Sequence, residues 1–223
     1  VLRSAFKNHL IREDSLNIPA SEAYKVLRTN IEFSNINASI QTIMIASTQK
    51  GEGKSVTSAN LAATYAKSNK KVLLIDANLR NPLQHQIFNL SNSLGLSTLL
   101  SNQSELREIT MVTDIKNLSV IPSGPLLANP PEALGSYRML AFLEEAKQLY
   151  DIIIIDTPPI LSVADAQIVA AQCDGVLLIV KAGKVSKEAL TKAKAVLDLV
   201  GVKVMGAVLN NVNAKRAAFY SAY

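Results

Sequence analysis

Between residues 44 and 66 the chain reads MIASTQKGEGKSVTSANLAATYA. Gly51, Gly53, Lys54 and Ser55 have the types and spacing of a loop that holds phosphate. Glycines let successive backbone N–H groups curl around phosphate oxygens, and a helix opening at that point adds partial positive charge. In such a loop Lys54 bridges the β- and γ-phosphates of a nucleotide and the Ser55 hydroxyl ligates Mg²⁺, with Glu52 and Val56 completing the contact. The pattern G-x-x-x-x-G-K-[ST] asks for glycine at position 48, where the chain has Thr48. That position is the loop entrance, and a small β-branched residue is accommodated there if its φ is negative. The competing reading is a glycine-rich strand–helix turn with an incidental lysine.

Two aspartates point to the same chemistry. LLIDANLR carries Asp76 and IIIIDTPP carries Asp156, each after four apolar residues. In an open α/β sheet, ligands bind beyond the carboxyl ends of the strands, where both acids and the loop are expected. Mg²⁺ on ATP takes a few oxygen ligands and keeps several waters. Asp156 is therefore the expected water-mediated metal contact, and Asp76 either a base or a second metal contact. Arg80, four residues past Asp76, either reaches phosphate or is a surface arginine. His9 and His85 have no spacing that suggests a metal site or a triad. Cys173, the single cysteine, reads as a small core filler, and it excludes an internal disulfide. Tyr24, Tyr65, Tyr137 and Tyr150 fall in helical stretches and read as packing residues.

These residues need a scaffold, and the pattern supplies one. Strands are expected at 42–47, 71–77, 117–123, 151–157, 175–182 and 203–211. Several are apolar without alternation, as strands covered on both faces of a parallel sheet are. Helices are expected at 21–34 with Ser21 as cap, and at 54–68, 137–149, 163–172 and 186–200. In the last, Ala189, Leu190, Ala193, Val196, Leu197 and Val200 form one stripe, Ser186 is the N-cap and Gly201 the stop. The alternation predicts an α/β domain over 21–223, a mostly parallel sheet flanked by helices, behind a lead-in tether at 1–20. The 223 residues are 48% apolar, enough for a sizeable core. No run of about 18 uncharged apolar residues is present, so no spanning helix is expected. The sequence opens on Val1, and a segment upstream of it, membrane-borne in one reading, is expected. The +5 charge suits an anionic partner and is too small to argue for nucleic acid.

GEGKS, LLIDANLR and IIIIDTPPILSVADAQ, in this order, resemble the phosphate-loop and two acidic motifs of bacterial tyrosine kinases. SGPLLANPPEALGS (123–136) is similar to a segment that family carries between its acidic motifs. The resemblance runs from Ser21 to Asn211. It implies the phosphate-loop fold shared with the plasmid-partition and cell-division ATPases. It also implies an ATP- and Mg²⁺-dependent kinase that phosphorylates its own C-terminal tyrosines and other proteins, and that regulates capsular or extracellular polysaccharide synthesis and export. Partners implied are a membrane-anchored activator or fused membrane segment, protein tyrosine substrates, a phosphotyrosine phosphatase and further copies of the chain. The location implied is cytoplasmic, at the inner face of the plasma membrane. The partition-type relatives carry a lysine at the position of Gln49, and here it stands one place later, at Lys50.

Three departures from the family pattern stand out. Its D-x-D appears as Asp76 and Asn78, so an oxygen ligand is kept and a charge is lost. Its E-x-x-R-x-x-R oligomerisation motif, which implies a ring, appears as Glu22, Lys25 and Arg28, and lysine lacks arginine's bidentate fork. Its tail tyrosine cluster appears as Tyr220 and Tyr223 alone. Asn210 resembles the adenine-contacting position of related ATPases, with a turn asparagine as the other reading. Two further functions compete with the kinase: a partition-type ATPase acting as a nucleotide-driven switch on DNA or membrane, and a catalytically weak nucleotide-binding regulator, which Asn78 keeps open.

Overall fold

The computed structural model describes Leu10, residues 18–34 and residues 40–212. In chain order the elements are α1 (Ile18–Phe33), β1 (Thr42–Ser47), α2 (Lys54–Lys67), β2 (Val72–Asp76), α3 (Gln84–Ile87), α4 (Leu96–Leu100), α5 (Leu106–Ile109), β3 (Met111–Val112), β4 (Leu118–Ile121), α6 (Pro130–Leu134), α7 (Tyr137–Leu149), β5 (Ile152–Asp156), α8 (Asp165–Ala170), β6 (Gly175–Lys181), α9 (Lys187–Val200) and β7 (Val204–Asn210). The strands form one sheet in the order β3-β4-β2-β5-β1-β6-β7. All pairs are parallel except the short β3–β4 pair at one edge.

The unalternated apolar strands are explained by cover on both faces. Ile43 and Ile45 of β1 pack on the side of α1 and α2, with Leu61, Ala62 and Tyr65. Met44 and Ala46 pack on the other side, with Met139 and Phe142 of α7, Val169 of α8 and Leu197 of α9. Burying each such side chain is worth about 1.5–3 kcal/mol, so the sheet is fixed from both sides. One carboxylate sets the start of β1 against β6: Asp174 accepts from the Gln41 N–H (2.9 Å), the Thr42 N–H (2.7 Å) and the Thr42 hydroxyl (2.8 Å). These bonds hold its acid below the ordinary carboxylate range against the opposing effect of burial.

The six expected strands are present, trimmed by a residue or two at several ends. α7 runs over 137–149 as the pattern predicts. Ser186 caps α9, accepting from the Ala189 N–H at 3.2 Å, and Gly201 ends it at φ 79°. The stripe on α9 faces the sheet, with Ala193 and Leu197 fully buried. Four corrections stand beside these. α1 begins at Ile18, so Ser21 lies inside the helix and is not its cap. Pro19 in the first turn is compatible with this earlier start, because a first-turn N–H has no helical partner to lose. The helix expected over 163–172 is confined to Asp165–Ala170. Tyr137 is 84% exposed and is not a core packing residue, whereas Tyr65 is fully buried. α3, α4, α5, α6 and β3, each of two to five residues, went unread because so few residues do not repeat either pattern. Among the described residues no helix is long and apolar enough to cross a membrane.

Candidate active site

The loop between β1 and α2 resolves the missing glycine. Gly51 and Gly53 take φ of 80° and 91°, the left-handed region that glycine enters without strain. Thr48 is not among the residues with positive φ, as its β-branch requires. Its hydroxyl donates to Glu52 Oε1 at 2.6 Å, and the Gln49 N–H donates to the same oxygen at 2.6 Å. Glu52 Oε2 accepts the Lys181 N–H at 3.3 Å. The Glu52 side chain is thus folded inward, only 1% exposed, and ties the loop to itself and to the end of β6. Its backbone remains available to a ligand in the loop, and its side chain is spent within the fold.

Asn210, at the end of β7, is bonded to the phosphate loop. Its Nδ2 donates to the Glu52 carbonyl at 2.8 Å, and its Oδ1 accepts the Asn211 N–H at 2.8 Å. The amide holds the loop and the end of β7 with one N–H and one lone pair, which leaves its second N–H and second lone pair for a ligand. A Cβ on Gly53 would lie 2.0 Å from Asn210 Nδ2. Gly53 therefore serves both the loop's conformation and this close approach.

Asp76 and Asp156 end adjacent strands as register partners and are both fully buried. Asp76 Oδ1 accepts the Asn78 N–H (3.2 Å), and its Oδ2 accepts the N–H groups of Leu83 and Gln84 (each 2.9 Å). Burial, and then the charge of Asp156, push its acid up to about 7, against the pull of these three backbone donors. Asp156 Oδ2 accepts from Gln84 Nε2 at 2.9 Å, while its Oδ1 has no hydrogen-bond donor and lies 3.6 Å from Lys54 Nζ.

Gln84 is the site residue that sequence reasoning missed. It is fully buried, and its Nε2 also donates to the Ser55 carbonyl at 3.1 Å. One residue thereby joins Asp76 through its backbone, Asp156 through its amide and the first turn of α2. No spacing marks a lone glutamine in LRNPLQH, so the sequence carried no signal for it.

A cleft of about 520 Å³ opens here, lined by Lys50, Lys54, Asn78, Arg80, Pro158 and Ser162 among others. Ser55 and Val56 also line it. Asn78 Oδ1 accepts the Asn81 N–H at 3.2 Å, and Lys50 Nζ reaches Asn81 Oδ1 at 3.4 Å across the mouth. Arg80 is not a free surface arginine: it grips Asp165 with Nε (2.9 Å) and Nη2 (3.1 Å). Thus Lys54, Ser55, Asp76, Asn78 and Asp156 come together, and Glu22, Lys25 and Arg28 do not join them. On α1, Lys25 pairs with Glu22 at 2.7 Å, both exposed, and Arg28 Nε lies 3.7 Å from Glu32. Tyr220 and Tyr223 lie outside the described residues. Cys173 packs partly buried on the core and donates to the Val169 carbonyl at 3.1 Å. Burial pushes its thiol up, as befits a filler.

The family model of the AAA domain matches residues 40–205. The chain is 43% identical over 203 residues to the tyrosine-protein kinase YwqD of Bacillus subtilis, covering 91% of this chain and 86% of that protein. The chain belongs to the bacterial tyrosine-protein kinases. Among solved structures, the chimerical protein CapA2B2 superposes with a TM-score of 0.88 at 36% identity, covering 92% of this kinase and 90% of that chain. The cell division ATPase MinD of Pyrococcus furiosus matches with a TM-score of 0.67 at 22% identity, over 82% of this chain and 79% of that one. That likeness establishes the shared phosphate-loop fold of partition-type ATPases. A tyrosine-protein kinase built on this loop uses ATP.

Proposed function

We propose that the cleft transfers the terminal phosphoryl group of ATP to tyrosine hydroxyls with Mg²⁺ present, and that Lys54, Asp76 and Asp156 carry the transfer. The observation that supports this reading is the buried Asp76–Asp156 pair with Lys54 3.6 Å from the open oxygen of Asp156. A buried acceptor without a donor beside a lysine, next to a loop with two left-handed glycines, fits a bound cation and a triphosphate. When bound, Mg²⁺ supplies Lewis-acid neutralisation of phosphate charge. Ser55 and Asp156 would hold it, with Asn78 as a neutral oxygen nearby and Asp76, where it is not the base, as a second carboxylate. Lys54 and the N–H groups of Gly51–Val56 neutralise the phosphates. Asp76 orients the tyrosine hydroxyl and takes its proton, for which an acid near neutrality is suited. Gln84 keeps the two carboxylates and α2 in fixed relation, since phosphoryl transfer depends on positioning more than on covalent work.

The family supports further assignments of the same kind: Tyr220 and Tyr223 as sites of autophosphorylation, and Glu22, Lys25 and Arg28 as contacts of a ring of copies. It likewise supports an activator at the inner face of the plasma membrane, reversal by a phosphatase, and control of capsular or extracellular polysaccharide. Incubation with ATP and Mg²⁺ followed by phosphotyrosine detection tests the core of this reading. Phosphotyrosine that appears in the parent and not in Lys54→Met supports it. ATP hydrolysis without phosphotyrosine, with an activator supplied, overturns it in favour of a partition-type switch.

A further inference from the structure

Arg80 stands in the connection from β2 to α3, and Asp165 opens α8. Asp165 is fully buried, and the Arg80 side chain is 40% exposed. The grip uses Nε and Nη2, which leaves three of the five guanidinium N–H donors without a protein partner. A guanidinium is planar, so with that edge against Asp165 the Nη1 edge faces the other way. Arg80 lines the same cleft as Lys54, Ser55 and Asn78. The sheet order β2-β5-β1 separates its host connection from the phosphate loop by one strand. Arg80 thus enters the cleft from the β2–α3 connection, on the far side of β5 from the loop that cradles the nucleotide.

We propose that Arg80 contacts the phosphoryl group in transit, from the acceptor side, and that Asp165 is the residue that aims it. This rests on the kinase reading of the cleft. The reaction breaks the bond between phosphorus and the β,γ-bridging oxygen and forms one between phosphorus and the tyrosine oxygen. The bridging oxygen leaves with its electron pair on ADP, and Asp76 takes the phenolic proton. Lys54 and the loop serve the nucleotide side of this transfer. Charge spreads over the three equatorial oxygens of the moving group, and a planar donor fixed on the β2–α3 side meets them there. A fixed donor costs no reorganisation at the moment of reaction, and the fork on a buried carboxylate provides that fixity. A lysine at position 80 keeps the charge and loses both the fork and the plane.

The test uses the full chain, with Arg80→Ala, Arg80→Lys and Asp165→Asn. Three quantities are read: the Kd for methylanthraniloyl-ADP with Mg²⁺, the tightening of that Kd by aluminium fluoride as a planar phosphoryl mimic, and the rate of phosphotyrosine formation on a glutamate–tyrosine copolymer. Thermal melting confirms that each variant folds. In the parent, aluminium fluoride tightens ADP binding by about 100-fold or more, as transition-state analogues do. In Arg80→Ala the ADP Kd stays within about twofold while the tightening disappears and the rate falls about 100- to 1,000-fold, the scale for one such donor. Arg80→Lys recovers part of the rate. Asp165→Asn loses less than Arg80→Ala, because the guanidinium remains but is no longer aimed. Equal losses in Arg80→Ala and Asp165→Asn, including weakened ADP binding, would make the pair a structural strut and overturn the inference. So would an aluminium fluoride effect that survives in a folded Arg80→Ala protein. A folded parent that binds ADP but forms no phosphotyrosine on the copolymer overturns the kinase reading and this inference with it, whereas phosphotyrosine in the parent with the Arg80→Ala results above reversed overturns the inference alone.

Discussion

Asp76 and Asp156 are register partners at the ends of adjacent parallel strands, both without solvent contact, and only Asp156 faces a cation. Asp76 therefore keeps its proton to a higher pH in the folded chain than in the unfolded one, where an aspartate titrates near ~3.9. Between that value and about 7 the folded form binds a proton that the unfolded form lacks. Stability from this group is full below the window and falls as pH rises through it, levelling off above. Melting of the nucleotide-free protein at pH 5, 6, 7 and 8 should show Tm falling by a few degrees, and Asp76→Asn should flatten that fall. A Tm that rises over the same range in the parent, with no difference in Asp76→Asn, would show that Asp76 is ionised throughout.

Lys54→Met should abolish phosphotyrosine formation. The lysine is only 8% exposed and pairs with Asp156, so the substitution also leaves a buried carboxylate uncompensated, a change that destabilises by several kcal/mol in other buried pairs. Lys54→Met is expected to lower the Tm of the nucleotide-free protein, and adding Asp156→Asn to recover it without recovering activity. A single variant with unchanged Tm and intact kinase activity would remove Lys54 from the site.

Much of this was legible in the sequence, and the reason is physical. The sheet was legible because both faces of β1, β2, β5 and β6 are covered, so their strands are uniformly apolar. Lys54, Ser55, Asp76 and Asp156 were legible because each sits at a strand end or helix start that the pattern marks. What escaped was set by tertiary approach. Gln84 matters because α3, a single turn, carries it onto two carboxylates and the Ser55 carbonyl. The inward fold of the Glu52 side chain escaped as well, because the hydroxyl of Thr48 and two N–H groups converge on it. The bond from Asn210 to the loop was not legible either, because it depends on β7 ending beside Gly53.

Gly53→Ala should lose nucleotide binding for two reasons that separate experimentally. The added methyl would meet Asn210 Nδ2 at 2.0 Å, and alanine at φ 91° is strained, at a cost of about 1–3 kcal/mol. Asn210→Gly in the same chain relieves the collision and leaves the strain. The double variant should therefore bind methylanthraniloyl-ADP more tightly than Gly53→Ala and more weakly than the parent. A double variant no better than Gly53→Ala would show that backbone strain alone sets the loss.

Asn78→Asp should sharpen the dependence on Mg²⁺. Asn78 is 7% exposed, lines the cleft and engages the Asn81 N–H through an oxygen that aspartate also has. The exchange adds a third carboxylate beside Asp76 and Asp156, which repels without a cation and attracts with one. The expected pair of results is a lower Tm without Mg²⁺ and a lower half-saturating Mg²⁺ concentration for kinase activity. Half-saturation that is unchanged or higher would place residue 78 outside the cation's reach.

The ring proposed for the family resemblance puts Glu22, Lys25 and Arg28 at an interface between copies. On α1 the Lys25–Glu22 pair is largely exposed, and such a pair adds little to the stability of one chain. Its removal should leave the monomer's fold unaffected, so any effect on assembly reads the interface directly. Val26 and Phe33 on the same helix are 57% and 68% exposed, apolar area that a second copy would cover. A heterologous contact of this kind closes into a ring when the rotation between copies allows it. Light scattering at high protein concentration should give a mass of several chains for the parent. Glu22→Ala, Lys25→Ala, Arg28→Ala combined should give one chain, with Tm within a few degrees of the parent. A parent that remains a single chain, or a triple variant that keeps the parent's mass, would remove α1 from the assembly.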